Sequence, residues 1–510
     1  MAKLNKIDSN VTGLSYAEEQ SLGVLPGTPV WKPLEPNGYS DFGGEITTIA
    51  RNPINPSRQR KKGVVTDLDA TGGWGTDLTQ ENFQDLVQGF MFADMRVKDE
   101  LPVTDIDTGD TEDDYEPASG GDGYVANDLL FAKGFSDDAA NGLKLVTGVP
   151  TATSVPVSTP LPALTGESGT ISRVGFQFAS GDVDIDVTGT LPALVSAVKD
   201  LTTLGLIPGE LIFIGGDSAA NQFVNAVNNG YCRIRSIAAN RIEFDETQFT
   251  MVDETGTGLT VRIFMGRVCR NELGTLIKRR SYSLERTLGA PDDASPNDIQ
   301  AQYVDGAVAN ELSFNVPTAD KVVMDLTFQG IKSPSNDAAT GPRTGTRESL
   351  VESDAFNTSD NIPFVKLSKV VPGDASPEPL FAFAQDITIT INNNLEPNKA
   401  IGVLGAFEVS AGTFQVGGDL TAYLADVAAV QAVQDNEDIS LQMHLSKANQ
   451  GISLQLPLIT LGDGRPNVEQ DQPITLPLSM DAASAAKIAS VLDFTLQLTF
   501  WDYLPDLALT

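Results

Sequence analysis

Alternation at period two is the feature that most limits what this 510-residue chain can fold into. Ile387, Ile389 and Ile391 are separated by polar residues, as are Ile439, Leu441, Met443 and Leu445. The pattern recurs at Ile452/Leu454/Leu456, Ile474/Leu476/Leu478, Phe494/Leu496/Leu498/Phe500 and Val322/Met324/Leu326/Phe328. Successive side chains of a strand point to opposite faces, so each segment carries one apolar and one polar face. Such strands bury their apolar faces as antiparallel sheets packed on one another. Ser446–Gly451 is polar, ends in glycine and predicts a hairpin turn between two of them. The expected class is mainly β.

Helical spacing is rare. Phe83, Leu86, Val87, Phe90 and Met91 fall on one face of a helix over Thr79–Met91, with Asp77 and Thr79 as candidate caps. Leu420, Tyr423, Leu424 and Val427 do so for a helix over Asp419–Val433, capped by Asp419. A third helix is expected over Ala219–Val227. The first two follow matching text. A proline precedes a Gly-Val pair (Gly63-Val64, Gly402-Val403), then an alternating strand, a glycine (Gly72, Gly412) and Asp-Leu-Thr (Asp77-Leu78-Thr79, Asp419-Leu420-Thr421). A second echo sets Ser15-Tyr16, Glu19 and Ser21-Leu22-Gly23 against Ser281-Tyr282, Glu285 and Thr287-Leu288-Gly289 at identical spacing. Two echoes in the same order argue for internal duplication, against shared use of Gly, Pro and Asp as punctuation.

The copies are unequal. The expected layout is a first domain over 1–130, completed by about 262–280, and a second domain over 281–510. Residues 131–261 form a small inserted α+β or β domain, with strands at Leu211–Ile214, Arg233–Ile237 and Arg241–Phe244. The second copy carries a long loop over about 333–355. Its Gly/Thr/Arg-rich core, Ser335–Ser349, reads as exposed and flexible.

Charge narrows the function. There are 68 acids against 34 bases, a formal net charge of −34, and a field of that sign repels nucleic-acid phosphates. The lone histidine, His444, lies between core-facing Met443 and Leu445 and is expected to point out of the sheet to solvent. With one histidine, most triads and zinc sites are out of reach. Two cysteines, Cys232 and Cys269, are too few for a disulfide framework; a reduced compartment is the simplest reading, with room for one bridge. Met1–Lys6 leads into no apolar stretch, so no signal peptide or membrane span is expected.

Three motifs could carry chemistry. Asp99–Glu116 is a run of acids without a base that includes Asp105, Asp107, Asp110, Glu112, Asp113 and Asp114. Asp105 and Asp107 open a calcium-loop pattern, but Gly109 stands where a fifth-position oxygen ligand is needed, so a solvated acidic loop is expected. Asp182, Asp184 and Asp186 alternate and read as an exposed acidic stripe. Gly215-Gly216-Asp217 follows an apolar strand and precedes an expected helix, as a phosphate-binding turn would, but lacks G-x-G-x-x-G and the P-loop Lys-Ser/Thr, so nucleotide binding is not expected. Against the acidic background stand Arg58, Arg60, Lys61 and Lys62, with Arg51 nearby, and a second basic cluster, Lys278, Arg279 and Arg280. These read either as solvated loops or as contacts that dock on the acidic surface of another copy.

The stretches RNPINPSRQRKKGVVTDLDATGGWGTDLTQ, SLERTLGAPDDASPNDIQAQYV, AFNTSDNIPFVKLSKV, ITINNNLEPNKAIGVLGAFEVSAGTFQVGGDLTAYLADV and LGDGRPNVEQDQPITLPL resemble the tail tube (major tail) proteins of long-tailed, siphophage-type bacteriophages. With the inserted segment they span nearly the whole chain, and they contain no catalytic motif. The resemblance implies duplicated β-sandwich domains, each flanked by an α-helix, with the inserted domain facing outward. It implies a structural virion protein and not an enzyme, without cofactor, metal or membrane. It further implies self-assembly into homotrimeric, pseudo-sixfold rings that stack helically into a hollow acidic conduit for genome ejection. Other tail proteins would meet the tube ends, and DNA would pass without specific binding. Synthesis and assembly would take place in the bacterial host cytoplasm. Arg58, Arg60, Lys61 and Lys62 are then the candidate contacts between rings. The reading that competes from another class is a calcium- or glycan-binding adhesive β-protein using the acidic loops. An acidic-residue hydrolase would need paired carboxylates in a cleft.

Overall fold

The computed structural model describes residues 7–54, 56–57, 59–108, 113–158, 160–289 and 299–506. The chain is mainly β, in two large sheets. The first has 17 strands, drawn from Gly13–Asp77 and Arg267–Trp501; the second has 13, drawn from Glu100–Met265. The expected inserted unit, residues 131–261, lies within the stretch that forms the second sheet. The chain enters and leaves that sheet side by side. Arg96 N donates to Val268 O at 2.7 Å, and Val268 N donates to Arg96 O at 3.1 Å.

Long strands let the first sheet fold over on itself. Gln450–Asp463 pairs with Ile439–Lys447 on one side; on the other, Gly451–Gln455 pairs with Gln497–Trp501 and Ile459–Asp463 with Thr475–Ala482. Gln300–Val316 is shared among partners in the same way. The curled sheet encloses a core in which Trp74 stacks on Phe328 at 5.1 Å and Phe83 meets Phe314 edge-on. Ile387, Ile389 and Ile391 each lie fully inside it, and burying a side chain of that size is worth about 1.5–3 kcal/mol. At the predicted turn, Ala448 (φ 51°) and Asn449 (φ 62°) both adopt the left-handed conformation, between Lys447 and its partner Gln450. Two such residues twist a two-residue loop the way the flanking strands twist.

The helices are shorter than expected. Of Thr79–Met91, only Val87–Met91 is helical. Phe83 and Leu86 are as buried as expected, but from turns, because Asn82 holds the chain to Thr79 and Asp77 instead. Asp419–Tyr423 completes the strand Gln415–Tyr423, and the helix is Ala428–Gln434, with Asp426 accepting from Ala428 N at 2.7 Å. Asp77-Leu78-Thr79 ends a strand while Asp419-Leu420-Thr421 lies within one. Over Ala219–Val227 the only helical residues begin a single 3-10 turn, Ala226–Asn228. The strand expected from Phe494 starts at Gln497. The second echo takes a definite form: the two segments are antiparallel neighbours, with Tyr16 opposite Leu284 and Glu18 opposite Tyr282. Each tyrosine thus faces the residue two beyond its counterpart, and the rings meet edge-on at 5.8 Å.

Other expectations are corrected by what covers the first sheet. His444 does leave the strand on the outward face, but the second sheet lies on that face and buries it completely. Its ring stacks on Tyr231 at 3.9 Å, Nδ1 lies 2.6 Å from Ser453 Oγ, and burial pushes its pKa from 6.5 down to about 3. Asp182, Asp184 and Asp186 are no exposed stripe. Asp182 is buried and accepts from Ser196 Oγ and two backbone amides, Asp184 accepts from Gly256 N, and Asp186 pairs with Arg241. The loop Ser335–Ser349 is largely exposed, as expected, but two arginines strap it down. Arg343 makes a bidentate pair with Asp305 while lying 4.0 Å above Tyr303, and Arg347 pairs with buried Glu285 at 2.8 Å. Cys232 and Cys269 are free and buried, and burial pushes both thiols up.

Candidate assembly surface

Two hairpins leave the first sheet as arms. The first joins Gly38–Arg51 to Lys61–Asp77, in register from Gly38 opposite Gly75 to Arg51 opposite Lys61, with three irregularities on the way. Its base is anchored by Ala70 and Trp74 in the core. Its outer half is not covered by the rest of the chain: Ile46, Ile49, Val64 and Val65 are each more than half exposed, and Ile54 at the tip is fully so. The second arm joins Glu396–Lys399 to Ala406–Ser410. Its turn uses Gly402 and Gly405, both at positive φ (91° and 88°), and exposes Ile401, Val403, Leu404 and Phe407. Lys399 ties the arms together by bonding Asp67 and Asp69 of the first. That contact holds the Asp67 carboxyl below its usual range and the Lys399 ammonium above its own.

The basic candidates divide cleanly. Arg60, Lys61 and Lys62 are exposed at the tip of the first arm, beside Arg51, and none makes an ion pair among the described residues. Arg58 lies outside the described residues. Lys278, Arg279 and Arg280 are engaged within the chain: Lys278 and Arg280 bind Asp94, Arg280 also binds Glu18, and Arg279 donates to Val409 O. That second cluster is structural.

Of the acidic candidates, Asp105, Asp107, Asp113 and Asp114 lie in paired strands of the second sheet. Glu100–Thr108 pairs with Asp113–Pro117, which sets Asp107 opposite Asp114. Asp105 accepts from Gly166 N, Asp113 from Leu161 N and Asp114 from Ser154 Oγ, so three of the carboxylates tie down neighbouring backbone and side chains. Asp110 and Glu112 lie outside the described residues. Among the described residues no group of three or more His, Cys, Asp or Glu is placed to hold a metal ion, and no helix is long and apolar enough to cross a membrane.

The sequence reading did not anticipate the second arm. Its signal was present: two glycines three apart within the apolar run Ile401–Phe407 mark a turn whose side chains have no inward face to occupy. Paired arms of exposed apolar residues on an otherwise well-filled molecule mark an interaction surface.

No curated protein matches the chain. The sequence profile of the phage tail tube protein family matches residues 9–482, almost its full length. The chain therefore belongs to the phage tail tube protein family, the structural subunits of phage tails.

Proposed function

We propose that this protein builds the tail tube of a long-tailed phage, as rings of three chains that stack into a hollow conduit for DNA. The observation that carries the reading is the pair of arms. Each chain projects two ribbons whose exposed isoleucine, valine, leucine and phenylalanine side chains its own fold leaves uncovered. The first copy of the duplication supplies one arm and the second copy the other, so three chains bring six to a ring. Head-to-tail contacts of this kind either close into rings or propagate as filaments.

Charge supports the conduit. A net charge of −34 leaves a surface that DNA slides past without binding. The basic cluster Arg58, Arg60, Lys61 and Lys62, of which Arg60, Lys61 and Lys62 lie at the tip, is the exception to that field, and it is proposed to reach the acidic surface of the next ring. The unit built on the second sheet faces outward, away from the conduit. Other tail proteins cap the tube, which assembles in the host cytoplasm and ends in the virion tail. The role is structural and not catalytic.

Negative-stain electron microscopy and mass measurement of the purified full chain test the reading. Three-membered rings or hollow tubes are expected. A particle that stays strictly monomeric at high concentration would overturn it.

A further inference from the structure

The two sheets meet along a seam whose sides do not match. The first sheet presents the polar face of its strands: Gln442, His444, Gln455, Gln497 and Thr499 are all buried there. The second sheet presents an apolar face, with Leu211, Phe213, Tyr231 and Phe264 clustered around Trp501. Several polar atoms in the seam have no hydrogen-bond partner among the described residues, including Tyr231 OH, His444 Nε2, Gln442 Nε2, Gln455 Nε2 and Thr499 Oγ1. A buried polar group left unpaired weakens whatever contact buries it.

Apart from the bond from Thr247 N to Ala375 O at 2.7 Å, and the exposed bonds that Tyr503 Oη (3.0 Å) and Asp506 N (3.2 Å) donate to Asp217, few bonds cross the seam. Gln497 Nε2 donates to Gly209 O at 3.0 Å, Ser440 Oγ to Glu246 at 3.3 Å and Lys366 Nζ to Thr247 O at 3.4 Å. At one rim the two sides part into a cleft of about 380 Å³, lined on one side by Arg233, Arg235 and Glu246 and on the other by Lys369 and Ser440. The covalent connections do not oppose separation either. Both tethers leave the first sheet at one point, where Arg96 and Val268 are bridged, and that is the geometry of a hinge.

We infer that the second-sheet unit docks reversibly: it lifts from the first sheet by swinging on the Arg96–Val268 tethers, while both sheets stay folded. The first sheet can tolerate this because its outer face has the polar alternation of a solvent-facing sheet. The second keeps a core of its own, including Phe176, Ile212, Ile234 and Phe244, on its other face. An outward unit on such a hinge changes the surface of an assembly without disturbing the arms. The inference does not depend on ring number.

Thiol labelling of the full chain tests it. Thr499→Cys places a thiol in the seam at a side chain whose hydroxyl has no partner, and native Cys269, buried in the first-sheet core, reports global opening. Peptide mapping after maleimide pulses should show the seam cysteine labelled at least about tenfold faster than Cys269, since opening only the seam costs less than opening the whole fold. Adding Gln442→Leu, which replaces an unpaired amide with an apolar side chain, should slow seam labelling about tenfold. Equal rates at the two thiols, or no slowing by Gln442→Leu, would overturn the inference. Ser446→Cys, at a second buried hydroxyl without a partner, gives the same reading should Thr499→Cys fold poorly.

Discussion

Reversing the charges at the tip of the first arm is the sharpest test of how the tube assembles. In Arg60→Glu/Lys61→Glu/Lys62→Glu, each substitution removes one positive charge and adds one negative to a chain already at −34. The three side chains are exposed and make no ion pair among the described residues, so the fold loses no such contact. Thermal unfolding of the unassembled protein should be unchanged. Between copies, an exposed ion pair is worth about 0.2–1 kcal/mol, and reversal turns that attraction into repulsion of similar size. Three reversals therefore weaken each contact by about 1–6 kcal/mol. At about 1.4 kcal/mol per decade, the concentration needed for assembly rises between fivefold and a thousandfold or more. Sedimentation across a protein-concentration series measures that threshold, and microscopy confirms what has sedimented. Salt supplies the control. In about 1 M NaCl the screening length falls to about 3 Å, so the repulsion fades and the variant should recover toward the wild-type threshold. A variant that assembles at the wild-type threshold in low salt would refute the reasoning, whatever shape the assemblies take.

Two further outcomes are expected. His444 is held neutral in the folded protein, at a pKa of about 3 against an ordinary 6.5. The unfolded chain therefore takes up the proton first; the stability this adds is complete above about pH 6.5 and is lost progressively as the pH falls toward 3, about 3 kcal/mol by pH 4. In denaturant titrations between pH 7 and 4, His444→Gln should lose less stability than wild type. Asp128, which burial raises to about 6, titrates in both proteins and cancels in the difference; parallel pH profiles would contradict the assignment. Removing the strap's main clamp by Arg343→Ala strands the Asp305 carboxylate. Breaking a fully buried pair costs about 3–5 kcal/mol, and the 27% exposure of Arg343 brings that down to about 1–3. A non-specific protease should then cut within residues 337–349 sooner than in wild type, with the remainder still protected. An unchanged cleavage rate would show that the strap is held elsewhere.

The strands were legible because period two is a local property. Ile387, Leu441, Leu454 and Leu478 each announce an inward face through the residues two places away, and each is buried. The helices were legible only in part: Val87–Met91 and Ala428–Gln434 form at the C-terminal ends of the expected ranges. The spacing of Phe83 and Leu86 also fits a compact turn that buries the same side chains, and hydrogen bonds from Asn82 decide for the turn. Leu420 and Tyr423 share a helical face on paper, yet Leu420 pairs in register with Ile387 and Leu478, and a strand already holds both partners. For the proposed assembly surface, charge alone picked out the exposed cluster at the arm's tip, Arg60, Lys61 and Lys62. Lys278–Arg280 looked equivalent to it because the partners that occupy those side chains, Asp94, Glu18 and Val409 O, lie far away in sequence.

The sequence by itself determined that the chain is strand-rich: alternation sets which side of each strand is apolar, and the burial of those sides drives the fold. Composition likewise settled the sign of its field. Which polar faces meet water was decided only in three dimensions. His444, Gln442 and Thr499 carry the local signature of an exposed face, and no neighbour in sequence reveals that a second sheet, made from residues some 200 to 400 positions earlier in the chain, will lie across them. Burial is a property of what the rest of the chain covers. Local pattern fixes the two faces of a strand, and only the tertiary arrangement chooses which of them remains a surface.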